Sequence, residues 1–486
     1  MRLRAVPLMS RHADPLMGRR AVPLMRLRAI PLLLALGLCG CLVGPNYHRP
    51  STALPAEFPG APATPQSIGD QKWFDLFQDA TLKQLVTTAL EKNFDVRIAA
   101  ERVLEARAQY GITRANLLPT LDAQGSFTAL RNSSIGSTPF IASGTNLASS
   151  YTQAGLQFAW ELDLWGRLRR LDEAARAQYL ASQEARNGVI ISLISDVMTT
   201  YFEVRELDLE LEIGHRNNDT AHNNLRLIQE RKDRGAANGL EVHQAEQFLY
   251  TTTAEIASVE RSIAQAEDAL NLLLGNAPAE VPRGQTLEQI ALAPELPAGL
   301  PSALIERRPD IRQAEDNLIA ANAQIGAAQA LFFPQISLTG FLGSQSRSLA
   351  GMFSGPARME SIGPAALLPI FHAGLRAGVQ LTEAQQREML VEYQKAIYTA
   401  LREVADALAS YNRTREQRGE EEKLVTALSE SVRLSNLRYR GGLDSYLQVL
   451  DAERNLFAGQ LTLAELRLLE LQSVVQLYRA LGGGWQ

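Results

Sequence analysis

Small and apolar residues recur at three- and four-residue spacing from 95 to 118, and the run stops at Pro119. The same happens ahead of Pro334. Proline has no N–H, and its ring clashes with the preceding turn, so both runs predict helices that end there. Beyond each proline the period becomes two. Leu121, Ala123, Gly125, Phe127 and Ala129 alternate with Asp122, Gln124, Ser126 and Thr128, and Ile336, Leu338, Gly340 and Leu342 alternate with Gln335, Ser337 and Thr339. A return strand is predicted after the first, with Ala154, Leu156, Phe158, Trp160, Leu162 and Leu164 opposite Gln153, Gln157, Glu161 and Asp163. The second return strand, near 362–370, is only weakly patterned. An offset of 215 lays Asp95 on Asp310, Arg97 on Arg312, Gln109 on Gln324, Gly111 on Gly326 and Pro119 on Pro334 without a gap, so the chain reads as a duplicated unit. Its two repeats are 71–290 and 291–486.

After each pair of strands proline disappears, from 140 to 277 and from 370 to 486. Very long helices are therefore permitted, predicted at 188–234 and 240–275 in the first repeat and from 374 to 439 in the second. Leu390, Tyr393, Ile397, Leu401, Val404, Leu408 and Tyr411 keep helical spacing. In the return helix Leu450, Phe457, Ala464, Leu471 and Tyr478 recur every seven residues, as do Leu447, Leu461, Leu468 and Val475, which describes a coiled-coil seam. Each pair of long helices turns at glycines, Gly235 and Gly239 in one repeat and Gly441 and Gly442 in the other. These turns lie far along the helices from the strands. The predicted fold is mainly α with a small β part, built on duplicated coiled-coil helical hairpins.

Four strands with one apolar and one polar face suit either a soluble sandwich or a membrane barrel with a polar lumen. In lipid an open sheet edge leaves backbone groups unpaired, so four strands require assembly with further copies. Two copies supply eight strands and three supply twelve.

Residues 1–40 read as a processing segment, with a compact export signal starting at Met25: Arg26 and Arg28 precede an apolar run too short to span a bilayer. Leu38-Cys39-Gly40-Cys41 resembles the bacterial lipobox. That resemblance implies a covalent lipid on Cys41, leaves one cysteine and no internal disulfide in the mature chain, and, through Leu42, implies sorting to the outer membrane. Residues 41–70, rich in Pro, Ala, Ser and Gly, read as an extended tether. The chain from Cys41 onward carries 41 basic and 52 acidic side chains, which argues against nucleic-acid binding. His12, His48, His215, His222, His243 and His372 form no metal-binding pair, and neither a phosphate loop nor a nucleophile elbow occurs. No enzyme, metal or cofactor chemistry is indicated.

Leu42-Val43-Gly44-Pro45-Asn46-Tyr47-His48-Arg49-Pro50, then Trp73-Phe74-Asp75-Leu76-Phe77 and an amphipathic helix at 82–91, resemble the lipidated outer-membrane factors of multidrug and metal efflux systems, the TolC-like family in its NodT-type branch. The resemblance implies a homotrimeric exit duct. Its helical hairpins would form an α-barrel capped by a twelve-stranded transmembrane β-barrel, anchored in the outer membrane and extending into the periplasm. It also implies a periplasmic adaptor and an inner-membrane pump as partners. The segment from Arg438 to Asp451 resembles the family's inner hairpin, where a leucine ring and an aspartate ring constrict the pore. Leu447 and Asp451 hold the matching positions, one helical turn apart, and Arg438 and Tyr439 match the residues that tether the gate. Their acidic partner is not assignable from the sequence. A lipid-anchored periplasmic coiled-coil scaffold without a pore is the alternative, but it has no use for strands of this pattern.

Labelled palmitate should enter the wild-type protein in cells and fail to enter Cys41→Ser. Label in the variant would show that acylation lies elsewhere.

Overall fold

The structure, a computed structural model, describes residues 42–58, 67–133, 147–290 and 297–484. Cys41, the expected acylation site, lies outside them. Among the described residues the elements run α1 (Trp73–Leu76), α2 (Ala80–Lys92), α3 (Phe94–Ala115), β1 (Thr120–Arg131), β2 (Ala148–Leu162), α4 (Arg167–Asp233) and α5 (Gly239–Leu273). They continue through α6 (Ala303–Arg307), α7 (Pro309–Ala330), β3 (Gln335–Ser346), β4 (Arg358–Leu367), α8 (Gly374–Arg440) and α9 (Tyr446–Ala480). Corresponding elements match in length: α3 and α7 have 22 residues, β1 and β3 have 12, α4 and α8 have 67, and α5 and α9 have 35. The chain forms two compact units, one holding the strands and the other the helices.

In the helical unit each long helix closes the same way. Ala236 N–H donates to Arg231 O and Gly235 N–H to Lys232 O, and 207 residues later Leu443 N–H donates to Arg438 O and Gly442 N–H to Tyr439 O. This pair of hydrogen bonds satisfies the last carbonyls of a helix but needs a left-handed residue, and Gly235 and Gly442 supply it at φ 74° and 75°. The seam Leu450, Phe457, Ala464, Leu471 and Tyr478 is buried throughout. Polar anchors join the elements around this core. The Asp79 carboxylate caps α2 by accepting from Thr81 and Leu82 N–H, and it also accepts from the Tyr201 hydroxyl of α4 at 2.8 Å and from Gln285 N–H. Arg308 donates to Ala480 O at the end of α9, to Asp310 on α7 and to Glu403 on α8.

The other unit is one antiparallel sheet in the order β1-β2-β3-β4. Its register places Leu121 opposite Phe158, Phe158 opposite Gly340, and Gly340 opposite Ile362, an apolar row across all four strands, whereas the row through Leu156 and Leu342 ends on β4 at Glu360, which ion-pairs with Arg358. On the other face Asp122 meets Gln157, which meets Phe341. Gly155 pairs with Gly343, where added Cβ atoms would lie 2.7 and 2.8 Å from the Phe341 ring, so the ring covers both positions. Leu121, Phe127 and Ile362 are 65, 69 and 76 % exposed, an apolar face that water does not favour. No helix among the described residues is long and apolar enough to cross a membrane.

Two boundaries and one seam residue differ from the sequence-based expectation. Helix α4 starts at Arg167, directly after Gly166 (φ 80°), and runs through Gly188 rather than starting there. Strand β4 starts at Arg358 and ends at Leu367; its pairing with β3, not side-chain alternation, defines it. Pro364 within it is tolerated on an edge strand. Leu447, assigned to the heptad seam, is 51 % exposed in the chain.

Glu206 on α4 is buried beside Glu210, with Glu465 of α9 and Glu203 nearby. Burial first, then the neighbouring carboxylates, let this pair retain a proton to about pH 8. An unfolded glutamate ionises near pH 4.5, so folding takes up a proton between these limits and stability falls as pH rises through the window. Glu206→Gln should flatten the pH dependence of the thermal midpoint between pH 5 and 8, as read by circular dichroism. An unchanged slope would place the proton elsewhere.

Candidate functional site at the hairpin turns

The two helical-hairpin turns share a small core. Ala221 and Ile228 of α4, Val242, Ala245, Phe248 and Leu249 of α5, Tyr439 of α8, and Tyr446, Val449 and Leu450 of α9 pack together. The periodicity of α9 dictates what remains outside. With Tyr446, Val449 and Leu450 turned inward, Leu447 and Asp451 fall on the opposite side, exposed and one turn apart. Asp451 makes only a 3.4 Å contact with Asn455 Nδ2 and carries no ion pair among the described residues.

Arg438 and Tyr439 part company. Arg438 Nε donates to Asp444 at 2.5 Å and Nη2 to the other carboxylate oxygen at 3.1 Å, but Asp444 lies in the turn of the same hairpin. Each partner holds the other charged, Asp444 below and Arg438 above its ordinary value, through that hydrogen bond. The pair stiffens its own turn, is exposed, and contributes little energy. Tyr439 is only 5 % exposed, and its hydroxyl donates to Glu241 Oε2 of α5 at 3.2 Å. The Arg231 guanidinium of α4 sits 4.5 Å from the ring centroid, and the Tyr446 ring lies 5.5 Å away, tilted by 56°. Tyr439 thus joins the second hairpin to the first, and Glu241 is the acidic partner that the sequence left unassigned. Its signal was present only as position: Glu241 is the third residue after the α5 cap Asn238, which accepts from Glu241 N–H.

Glu453 is a further residue that sequence reasoning passed over. It is 4 % exposed on α9, accepts from Asn224 Nδ2 of α4 at 2.7 Å, and its Oε2 is buried without a hydrogen-bond partner. Burial raises its pKa, and hydrogen bonds from Asn224 and Asn436 only partly oppose this. Of the turn glycines, Gly235 and Gly442 adopt the left-handed conformation; Gly239 opens α5, and Gly441 is an ordinary helix terminus.

The model of the family described as outer membrane efflux protein matches residues 85–276 and 300–483. The chain is 41 % identical over 466 residues to the solvent efflux pump outer membrane protein SrpC of Pseudomonas putida, covering 93 % of this chain and 97 % of that one. It is 36 % identical over 457 residues to the cation efflux system protein CusC of Escherichia coli K12, at 93 and 98 % coverage. The crystal structure of the open state of the Neisseria gonorrhoeae MtrE outer membrane channel superposes with a TM-score of 0.82 at 33 % identity, over 92 % of this chain and 99 % of that one.

Tyr439→Phe should speed amide exchange at the ends of both hairpins roughly fivefold, the factor that corresponds to about 1 kcal/mol from one lost hydrogen bond. Arg438→Ala should speed it only around 437–445. Equal effects of the two substitutions would contradict the separation of roles.

Proposed function

The chain belongs to the outer membrane efflux protein family, and from that premise we propose how it works as the outer-membrane channel of a tripartite efflux pump. It is a conduit rather than an enzyme. The single observation that carries the mechanism is the sheet: four strands with two unpaired edges and an apolar row, Leu121, Phe158, Gly340 and Ile362, that crosses all of them. Such a sheet is stable in lipid only when β1 of one copy pairs with β4 of the next, and three copies close a twelve-stranded barrel. We read the functional form as a homotrimer of the NodT-type branch, anchored by a lipid on Cys41. Its helical hairpins extend into the periplasm toward an adaptor, and an inner-membrane pump supplies the energy.

The hairpin turns form the gate in this reading. Threefold symmetry gathers three Asp451 carboxylates, whose like charges repel each other and attract cations, beside a collar of three Leu447 side chains. The solvent-facing placement of both residues supports this. Tyr439, through Glu241, holds the second hairpin against the first, so losing that bond lets the hairpins separate. Relatives named for solvent efflux and for cation efflux share most of this chain's length, which favours a wide, unselective duct with cargo chosen at the pump.

Detergent-extracted protein should run as a trimer, and replacing Leu447 and Asp451 together with Ala should raise single-channel conductance severalfold at unchanged trimer yield. A monomer that conducts ions would refute the assembly. Unaltered conductance in well-formed trimers would move the constriction elsewhere.

A further inference from the structure

The residues that follow Cys41 are extended, but they do not hang free. Arg170 of α4 is 1 % exposed, and three of its hydrogen-bond acceptors come from this segment: Val43 O to Nε at 3.2 Å, Gly44 O to Nη2 at 3.3 Å and Asn46 Oδ1 to Nη2 at 2.9 Å. Glu173 supplies the counter-charge at Nη1. On the other side of the segment, Asn322 of α7 donates to Pro45 O at 3.0 Å, Tyr47 donates to Glu315 at 3.0 Å, and Arg49 forks onto both oxygens of Glu315 at 2.6 and 2.8 Å. The backbone comes close enough to α7 that a Cβ on Gly44 would lie 2.4 Å from Gly326 Cα, and Gly44 has φ 94°. Two glycines, a buried arginine and an asparagine therefore accept one particular seven-residue strand.

The duplication shows that this site is particular to one groove. The 215-residue offset sets Arg107 where Asn322 stands and Ala100 where Glu315 stands; the 207-residue offset sets Ala377 where Arg170 stands. Only Gly326 has its counterpart, Gly111, where an added Cβ would meet nothing within 4 Å. Helix packing alone would treat the two copies alike. The polar residues do not.

We propose that residues 43–49 are a clasp that completes the α4–α7 groove by supplying the buried acceptors of Arg170, so that this part of the helical unit is stable only with the clasp seated. The segment next to the acylation cysteine is then a structural member and not a leash. Arg170 couples seating to stability, because unseating the clasp removes all three acceptors of its Nε and Nη2 together with the segment that keeps the guanidinium 1 % exposed. This holds whether or not lipid is attached.

The test uses the full chain in detergent, with chymotrypsin cleavage after Tyr47 reporting clasp release and the thermal midpoint reporting stability. Cys41→Ser should match wild type in both. Gly44→Val should accelerate cleavage about tenfold or more and lower the midpoint, as removal of buried partners does. Adding Arg170→Met should leave cleavage fast yet recover most of the midpoint, since the charged guanidinium that lost its acceptors is then gone and, of the groove's donors, only the Asn322 amide has lost a partner. If Gly44→Val does not fold, Asn46→Ala removes one acceptor without touching the backbone and should give the same order, with the same recovery, at smaller amplitude. The clasp is refuted if release leaves the midpoint unchanged, if Arg170→Met recovers nothing, or if Cys41→Ser alone releases the segment.

Discussion

A proline-free helix of 67 residues, about 100 Å long, is the surface on which the helical unit is assembled. Helices α2, α3, α5, α7 and α9 all pack against α4. Its buried positions change face along its length to meet them: Leu168 and Ala174 early, Val197, Tyr201 and Phe202 in the middle, Ala221 and Ile228 near the turn. A single proline or an unpaired polar residue at any of these stations would break several contacts at once. The polar groups that are buried on it, Arg170, Glu184, Ser195, Arg205 and Glu206, each come with a named neighbour. They make the packing specific where apolar contacts alone would not.

Duplication produced two hairpins with the same lengths and the same glycine-closed turns, and divergence of a few polar residues gave them different work. Tyr439 stands where the first copy has Lys232, and Tyr446 where it has Gly239. The aromatic pair that fastens one hairpin to the other therefore exists only once per chain. Arg170 and its clasp are likewise confined to one copy. Under the proposed gating, such asymmetry lets one groove loosen while the other holds, because a contact repeated in both grooves would hold them alike.

The strands follow the opposite logic. Leu121, Phe127 and Ile362 stand exposed, and among the described residues β1 and β4 each pair on one side only, two defects of a single sheet. Water disfavours the face and lipid disfavours the edges, so the two defects are removed together only in a closed multimeric barrel. Membrane insertion and assembly are coupled by that requirement.

The linear pattern by itself determined the helices ending at Pro119 and Pro334, the alternation of β1, β2 and β3, the seam of α9 and the two turns, because proline, period and glycine act through local sterics. It also placed Leu447 and Asp451 on one helix face. Pattern was insufficient wherever a neighbour distant in sequence decides the outcome. Strand β4 exists by pairing with β3, and Arg167–Gly188 is helical because Ala174, Ala177 and Ala181 are covered by packing with α7 and its neighbours. The bond from Tyr439 spans 198 positions to Glu241, whereas Arg438 closes on Asp444 six residues away. Two adjacent residues with similar promise thus received different roles, since side-chain direction on a helix selects the partner and only tertiary packing brings that partner within reach.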